Sequence, residues 1–403
     1  MLNSCTRRCI QRLNYCRGHR HDAILASVAS TRRAFNVLAL ESSADDTCAA
    51  VVTSERKILS NIVISQHQQH ASFGGIHPFY AMQAHQQAMP EAIRKALTEA
   101  GVTMADIDGV AFTRGPGMAG GLSVCSTAGK AIAAALNKPI VGVHHMQAHA
   151  LTPLLTSLQE EPPQFPFLTL LVTGKHTLLL LAESITRFKT LATAKDESIG
   201  HAFDKVAKLL GLEWQNIGPG AALEAFCRTE IYDADALADV PAMPDVLPGQ
   251  LAFSYSGLHG TVEKYIREHG GIESLNSATR VRLAQSFQTG AIRQLEKKLK
   301  MGLHLCRQQD IHIRNVVVSG GVASNSLLRS RLRTFLDEYT DSDPEHISLL
   351  FPPVRLCTDN AAMIGWAAMH RFLAGDYDDL SINLRVVWNI EDLESPPLYT
   401  KSA

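Results

Sequence analysis

The distribution of apolar residues predicts two strand–turn–strand hairpins in different parts of the chain. In the first, apolar runs at Val37 to Leu40 and Cys48 to Val52 enclose a polar turn. In the second, apolar runs at Leu168 to Val172 and Thr177 to Ala182 enclose a short turn. Short continuous apolar runs bounded by polar turns are typical of buried strands. The sequence therefore contains the same supersecondary unit twice.

Four further segments complete the pattern. Residues 109–136 and 315–332 each pass from an apolar run through a glycine-rich turn into helical periodicity. Residues 83–100 have the helical period, and Gly101 provides a stop signal. The stretch PIVGVHHMQAHA, residues 139–150, predicts a short buried strand that runs directly into a helix. Strands that alternate with helices predict an α/β fold.

A duplicated hairpin that opens each half of the chain is typical of the actin, hexokinase and heat-shock chaperone ATPase class. We therefore predict a two-lobe α/β fold of this class, with duplicated strand–turn–strand phosphate hairpins. In that class the two turns hold the phosphates of a nucleotide between the lobes. We predict a targeting segment at 1–34 and a C-terminal tail at 376–403. Between them, lobe one comprises 35–144 with a returning helix at 358–375, and lobe two comprises 145–357.

The predicted helix after the fourth strand carries two histidines, His145 and His149. A spacing of four places both imidazoles on one helix face, one turn apart, where they can bind one metal ion. Two ordinary helix histidines near a surface have the same spacing. The segment also lacks the glutamate that follows the first histidine in zinc-protease helices. A metal site therefore requires a third ligand from elsewhere in the chain.

Composition narrows the function classes. The chain has 403 residues, of which 46% are hydrophobic and 19% charged, as in globular proteins. Its eight cysteines include no Cys-x-x-Cys pair, which argues against a cysteine zinc site or a disulfide framework. No run of eighteen apolar residues is present, so we predict no membrane span.

The N-terminal segment is arginine-rich and acid-poor. Residues 1–34 contain one acid, Asp22, and seven arginines: Arg7, Arg8, Arg12, Arg17, Arg20, Arg32 and Arg33. This composition predicts a mitochondrial targeting segment and a matrix location; a disordered RNA-binding tail is the alternative. The rest of the chain has 31 basic and 38 acidic residues, so nucleic-acid binding there needs a local basic patch.

Nine short segments, in order, resemble one protein family. They are ALESSADDT, TRGPGMAGGL, VHHMQAH, LLVTGKHTLLL, HAFDKVAKLLGL, PGAALE, FSYSGL, VSGGVASN and CTDNAAMIG. On these segments the chain resembles the tRNA threonylcarbamoyladenosine transferase family, once described as O-sialoglycoprotein endopeptidases. Within that family it is most similar to the mitochondrial, stand-alone branch. The resemblance covers about 35–375.

The resemblance implies a metal centre of three residues. His145 and His149 would bind one divalent ion per subunit, iron or zinc, together with Asp359. Two imidazoles and one carboxylate suit either ion. Asp359 also precedes a helical pattern, Ala361 to Leu373, so the residues alone allow it to be only the N-cap of that helix.

The resemblance further implies a site for an acyl-adenylate. Its residues would be Val172, Thr173, Gly174, Lys175, His176, Asp204, Gly220, Glu224 and Asn325. Asp45 and Asp46 would lie on the phosphate side. The chain departs from the family at Lys175, where glycine is usual, and at His259, where lysine is usual. The sequence leaves the structural consequence of both departures open.

The implied activity is an acyl transfer. The enzyme would move the threonylcarbamoyl group from threonylcarbamoyl-AMP to the N6 amine of adenosine 37 in mitochondrial tRNAs that read ANN codons, with release of AMP. Its partners would be tRNA, a separate synthase that makes threonylcarbamoyl-AMP, and a second copy in a homodimer, without a membrane. The sequence identifies no general base; His176 and Asp46 are candidates. A metalloprotease and a non-enzymatic, chaperone-like nucleotide-binding module are the alternatives.

One predicted helix offers a candidate tRNA surface. Residues 277–308 carry a single acid, Glu296, and seven basic residues: Arg280, Arg282, Arg293, Lys297, Lys298, Lys300 and Arg307. Three arginines at 329, 331 and 333 lie on another predicted helix. The pattern is that of a phosphate-binding stripe or of a solvated helix face.

Overall fold

The computed structural model describes residues 33–66, 70, 75–157, 162–213, 217–229, 240–340 and 346–394. The chain divides into two units, Met1–Phe35 and Asn36–Ala403. The predicted targeting segment lies outside the described residues except for its last two, and so does the end of the predicted C-terminal tail.

The first hairpin belongs to a five-stranded mixed sheet, sheet one, in the order β3–β2–β1–β4–β5. β1, β2 and β3 pair antiparallel, whereas β4 and β5 continue the sheet parallel to β1. The central strands read as continuous apolar runs because helices cover both of their faces. The strands are β1 (Asn36–Glu41), β2 (Asp46–Thr53), β3 (Ile58–Ser65), β4 (Gly109–Gly115) and β5 (Ile140–His144).

The second hairpin belongs to sheet two, which has the order β10–β9–β6–β7–β8. Read from β8, this is the strand order of sheet one, with the same antiparallel and parallel pairings. The duplication confirms the predicted α/β fold with repeated strand–turn–strand units. The strands are β6 (Phe167–Val172), β7 (Thr177–Ala182), β8 (Phe188–Thr193), β9 (Asn315–Ser319) and β10 (Ser348–Leu350).

Helices cover the sheets. On sheet one, Leu38 and Leu40 face a core shared with α1 and α2, whereas Ala39 points to the opposite face and meets Gly365 of α9. The helices are α1 (Pro78–Ala100), α2 (Ala119–Leu136), α3 (His145–Thr156), α4 (Ile199–Leu209), α5 (Pro219–Cys227), α6 (Ser256–Glu268), α7 (Ser277–Gln308), α8 (Ser326–Thr340) and α9 (Ala361–Ala374). The lobe boundaries given by the sequence stay predictions.

The ends of α1 follow local chemistry. The helix ends at Ala100, as predicted, and Gly101 takes the left-handed conformation at φ 64°. It begins at Pro78, five residues before the predicted start, because proline suits the first position of a helix.

Among the described residues, one helix, α2, is long and apolar enough to cross a membrane by length and composition alone. In the structure its Gly129 packs on Phe112 and Val110 of β4, and its Val124 and Cys125 belong to the core of sheet one. These contacts pack one face of α2 on sheet one, and the prediction of a chain without a membrane span stays a prediction.

Residues 376–394 follow α9 and contact both sheets; we call them the C-terminal strap. Near its start, Asp378 accepts a hydrogen bond from the backbone N–H of Gly142 in β5 at 2.8 Å. Near its end, Glu391 accepts one from the backbone N–H of Thr190 in β8 at 2.7 Å. The segment predicted as a tail therefore connects sheet one to sheet two over its described part.

Candidate metal centre and adenylate site

The two histidines stand at the point where β5 passes directly into α3. β5 is fully buried and ends at His144, and α3 begins at His145. The His145 and His149 rings lie one helical turn apart, with centroids separated by 4.8 Å and planes at 87°. Both side chains are almost completely buried. The alternative of two surface histidines is therefore wrong.

The third predicted ligand meets them. Asp359 Oδ1 lies 3.3 Å from His145 Nε2 and 3.1 Å from His149 Nε2. One ligand atom from each of the three residues lies within 4.8 Å of the others. The residue that caps α9 is Asn360, whose side chain accepts a hydrogen bond from the N–H of Met363 at 2.9 Å. The alternative of Asp359 as the N-cap is therefore wrong.

A buried carboxylate fixes the orientation of the His145 ring. Glu41, at the end of β1, is fully buried, and its Oε2 lies 3.2 Å from His145 Nδ1. The hydroxyl of Ser43 lies 3.3 Å from the same nitrogen, and Thr113 donates a hydrogen bond to Glu41. A histidine held at one nitrogen by a carboxylate presents the other nitrogen to a metal in a defined direction.

The electrostatics of the centre favour a cation. Burial alone would lower the pKa of His145, but the carboxylates of Asp359 and Glu41 raise that pKa to about 10. Burial opposes ionisation of Asp359, yet the charge of His145 and hydrogen bonds from both histidines hold its pKa well below the ordinary value. Two imidazoles and an ionised carboxylate, with a second carboxylate behind them, are a donor set that fits iron or zinc.

The predicted adenylate loop lies beside this centre. It follows β6, and Thr173 Oγ1 accepts hydrogen bonds from the N–H groups of Lys175 at 3.2 Å and His176 at 2.9 Å. The carbonyl of Gly174 accepts a hydrogen bond from the Ser198 hydroxyl at 2.6 Å, which fixes the loop to the start of α4. Burial and the charges of His145, Lys175 and His149 lower the pKa of His176 to about 4.

Two glycines, one in α4 and one in the turn after β9, bring the loop close to other elements. A Cβ atom on Gly200 of α4 would lie 2.7 Å from both Gly174 Cα and Thr173 O. Gly320, at φ 104°, would place a Cβ atom 2.5 Å from Val172 O. The next residue, Gly321, would have its Cβ 3.8 Å from Thr358, the neighbour of Asp359. The Gly320 turn therefore lies between the adenylate loop and the metal ligand.

The remaining predicted adenylate residues lie on α4 and α5 and at the start of α8. A Cβ on Gly220 would lie 3.4 Å from Asp204 Oδ1, so α4 and α5 bring these two together. Glu224, on the same α5, accepts hydrogen bonds from the N–H and hydroxyl of Ser326 at 3.0 and 2.7 Å. The preceding residue, Asn325, is buried and caps α8 by accepting from the N–H of Leu328 at 3.0 Å.

The turn between β1 and β2 faces the metal centre. Burial, then the charges of Asp45, Asp359 and Glu41, raise the pKa of Asp46 to about 8. Among the described residues, Asp46 Oδ1 has no hydrogen-bond partner. The turn thus adds carboxylates close to the three candidate ligands.

His259, one of the two departures from the family pattern, belongs to an ion-pair network. Its ring contacts the carboxylate of Glu197, which also pairs with Lys205 at 2.6 Å. Glu197 directly precedes Ser198, the residue that holds Gly174. The exposed Lys175 stands in the adenylate loop itself.

Four of the seven basic residues of the predicted stripe on α7 contact other parts of the protein, and one of them, Lys298, is buried. Lys298 is 2% exposed, and its ammonium donates to the carbonyls of Leu247 at 2.6 Å and Gln250 at 2.7 Å. Arg280 and Arg293 also donate to backbone carbonyls, and Lys297 pairs with Asp245 at 2.7 Å. Both predictions for this helix, a phosphate-binding stripe and a solvated face, are therefore wrong for Lys298, because it anchors a neighbouring loop.

The sequence does not predict two contacts at this site, that of Glu41 with His145 and that of His144 with Trp388. The sequence places Glu41 only in a polar turn, and it gives His144 no role. The signal for Glu41 is a carboxylate directly after four buried apolar residues of a strand; none marks His144, whose partner at Trp388 is far away in the sequence.

Comparison with known proteins identifies the family. A family profile described as TsaD: tRNA N6-adenosine threonylcarbamoyltransferase matches residues 57–366. The tRNA N6-adenosine threonylcarbamoyltransferase of Paramagnetospirillum magneticum is 38% identical over 355 residues, covering 88% of this chain and 97% of that protein. The protein of the same name from Erythrobacter litoralis is 36% identical over 360 residues, covering 89% and 97%.

The similar solved structures are more distant. Component A of (R)-2-hydroxyglutaryl-CoA dehydratase from Acidaminococcus fermentans has 10% identity and a TM-score of 0.46, covering 84% of this chain and 98% of that one. A ROK hexokinase from Thermus thermophilus has 16% identity and a TM-score of 0.41, covering 85% and 100%. On the sequence matches, the chain belongs to the tRNA N6-adenosine threonylcarbamoyltransferase family and is a transferase that modifies tRNA.

Proposed function

We propose that the protein transfers the threonylcarbamoyl group from threonylcarbamoyl-AMP to the N6 amine of adenosine 37, in mitochondrial tRNAs that read ANN codons. The observation that carries the proposal is the junction of three candidate metal ligands with the loop after β6, across the Gly320 turn. A donor set for a cation then lies where an acyl-adenylate would present its phosphate and carbonyl oxygens.

His145, His149 and Asp359 would hold one ion per subunit, iron or zinc. When bound, the ion supplies a Lewis acid for the oxygens of the substrate. Glu41 and Ser43 hold the His145 ring. Asp45, Asp46 and the exposed Lys175 would lie on the phosphate side; with its pKa raised to about 8, Asp46 is mostly uncharged at neutral pH.

The adenylate loop is organised before substrate arrives. Because Thr173 accepts the N–H groups of Lys175 and His176, these amides keep the loop in shape and the Lys175 ammonium remains as the charged group at its tip. An ammonium at that position can pair with the phosphate of the adenylate. Asp204, Gly220, Glu224 and Asn325 would hold the nucleoside half.

In the reaction, the N6 amine attacks the carbamoyl carbon and a carbon–nitrogen bond forms. The bond from that carbon to the phosphate oxygen breaks, and AMP leaves with the electron pair. The amine loses a proton, for which His176 and Asp46 are the candidate acceptors. Comparison of the pH–rate profiles of His176→Ala and Asp46→Asn with that of the wild type will distinguish them.

The protease alternative lacks support at the centre. Gln147 occupies the helix between the two histidines and donates to the carbonyl of Ile185 at 2.9 Å. The buried carboxylate of Glu41 is engaged on the far nitrogen of His145. A non-enzymatic nucleotide-binding module would not need the three metal ligands.

The test of the activity is nucleoside analysis of tRNA incubated with the purified protein, its metal and threonylcarbamoyl-AMP. We expect threonylcarbamoyladenosine with the wild type and none with Asp359→Ala. Nucleotide binding without any modified nucleoside would instead favour the chaperone-like alternative. Peptide cleavage that is lost with Asp359→Ala would favour the protease.

The location and assembly are also proposals. We propose that residues 1–34 direct the chain to the mitochondrial matrix, that a separate synthase supplies threonylcarbamoyl-AMP, and that the mature enzyme is a homodimer. Residues 1–34 fused to a fluorescent reporter should carry it to mitochondria. A version with its seven arginines replaced by glutamine is the control, and a cytosolic wild-type fusion would refute the location.

A further inference from the structure

The residue before α3, the helix with two of the candidate metal ligands, caps that helix with an imidazole ring. His144 is the N-cap of α3, and its Nδ1 accepts hydrogen bonds from the N–H groups of Met146 at 3.1 Å and Gln147 at 3.4 Å. Two N–H donors require an unprotonated nitrogen. The proton of the neutral ring is therefore on Nε2, which donates to the carbonyl of Trp388 at 3.1 Å.

Histidine is not among the residues that cap helices well by themselves. Its ring can rotate, and its other tautomer would place an N–H against the N–H groups of the helix. The first turn of α3 also contains no acidic residue that could substitute for the cap. The start of the helix therefore depends on what holds the His144 ring.

The C-terminal strap holds it. The Trp388 ring packs edge-to-face on the His144 ring, with centroids 4.7 Å apart. The Trp388 ring is itself flanked by two guanidinium groups, Arg114 at 5.3 Å and Arg385 at 4.8 Å. The backbone N–H of Arg385 donates to the carbonyl of Arg114 at 3.0 Å, so the strap is fixed to the end of β4 directly beside this contact.

We propose that the strap is a positioning element of the metal centre. The Trp388 ring fixes the orientation of the His144 ring. His144 in turn caps α3, and the capped first turn sets the position of His145. The proposal rests on the metal centre proposed above only for its ion-binding measurement; its effect on the helix start is independent of any ion.

The first measurement is hydrogen exchange of the Met146 and Gln147 amides in metal-free protein. In Trp388→Ala we expect these amides to exchange about three- to tenfold faster, the range set by loss of one aromatic pair. Val387→Ala is the matched control, because Val387 is the neighbouring residue and is 92% exposed. Trp388→Phe, which keeps a ring, should restore most of the protection. If Trp388→Ala does not fold, Trp388→Leu is used in its place.

The second measurement is a double-mutant cycle on zinc affinity. Trp388→Ala should weaken zinc binding by about three- to tenfold, again for one aromatic pair. His144→Asn keeps a good capping side chain but does not reach the strap, so adding Trp388→Ala to it should have almost no further effect. Equal effects of Trp388→Ala in both backgrounds would show a general loss of stability and overturn the proposal.

The two measurements separate this proposal from the metal proposal. Unchanged exchange at Met146 and Gln147 in the Trp388 variants overturns the role of the strap, whatever binds at the centre. Absence of both zinc and iron binding to the wild type overturns the metal centre, and the exchange result then decides the strap alone.

Discussion

His145 Nδ1 lies 3.2 Å from the Oε2 atom of Glu41, and this contact determines which nitrogen of the ring faces Asp359. Glu41 belongs to the first strand of the fold, whereas His145 begins α3. The geometry of the candidate metal centre therefore depends on the pairing of β1, β4 and β5 in sheet one.

Replacing Glu41 with glutamine should weaken metal binding while leaving the three ligands in place. Loss of a carboxylate behind a metal-bound histidine typically costs about ten- to a hundredfold in affinity. The measurement is the zinc dissociation constant from chelator competition. Glu99→Gln, on the outer end of α1, is the control and should bind zinc as the wild type does. An unchanged constant in Glu41→Gln would show that the contact does not orient the ring.

Variants of the adjacent residues Asp359 and Asn360 should distinguish metal binding from helix capping. Asp359→Ala should lose bound metal and activity, because it removes one of three donors. Asn360→Ala should retain metal but lower the free energy of unfolding by about 0.5–2 kcal/mol, because it removes the N-cap of α9. Metal content and urea unfolding of both variants give the comparison. Retention of metal by Asp359→Ala would place the third ligand elsewhere.

Alanine substitution at two helical glycines, Gly200 and Gly260, should have different effects on the KM for threonylcarbamoyl-AMP. Gly200→Ala should raise the KM for threonylcarbamoyl-AMP, because its Cβ would push against Thr173 and Gly174 of the adenylate loop. A Cβ on Gly260 of α6 would meet no atom within 4 Å among the described residues, so Gly260→Ala should stabilise the protein by about 0.4–1 kcal/mol without a change in KM. Equal KM values in the two variants would contradict the close approach at Gly200.

The acid stability of the protein should depend in part on Asp196. Burial opposes its ionisation, but hydrogen bonds from the Ser254 and Ser256 hydroxyls and from the N–H groups of Glu197 and Tyr255 hold its pKa below the ordinary value. A lowered folded-state pKa means that the stabilisation is complete above the unfolded-state value, about 3.9, and is lost as pH falls below it.

The measurement is urea unfolding of Asp196→Asn and the wild type between pH 7 and pH 3. The difference in unfolding free energy between them should be constant near neutrality and shrink below about pH 4, where Asp196 of the unfolded chain is protonated. A difference that does not change with pH would mean that the hydrogen bonds do not favour the ionised form.

Local pattern predicts the strands and the repeated hairpins because buried strands in covered sheets are continuously apolar. The local pattern also places Asp359 next to the start of a helix. It cannot show whether Asp359 or Asn360 is the N-cap, because aspartate and asparagine cap equally well. Only the tertiary fold shows that Asn360 reaches Met363 while Asp359 turns to the histidines.

The number of basic residues on α7 does not predict that Lys298 is buried, for a similar reason. Seven basic residues on one helix indicate a cationic surface, but the carbonyls of Leu247 and Gln250 cover Lys298 from a loop distant in sequence. The role of His144 is likewise invisible in the sequence, because its partner Trp388 lies 244 residues away. Contacts of this range depend on the complete topology, which no local pattern contains.

His149 and Asp359 are separated by 210 positions in the chain, so an ion held by both requires the segment before α9 to return to the end of sheet one. Such an ion favours every form in which this segment has returned to α3 over the forms in which it has not. By mass action, each tenfold excess of free ion over its dissociation constant adds about 1.4 kcal/mol to the free energy of unfolding. The thermal midpoint should therefore follow metal supply, and in a compartment short of the ion the same chain would unfold and be degraded sooner.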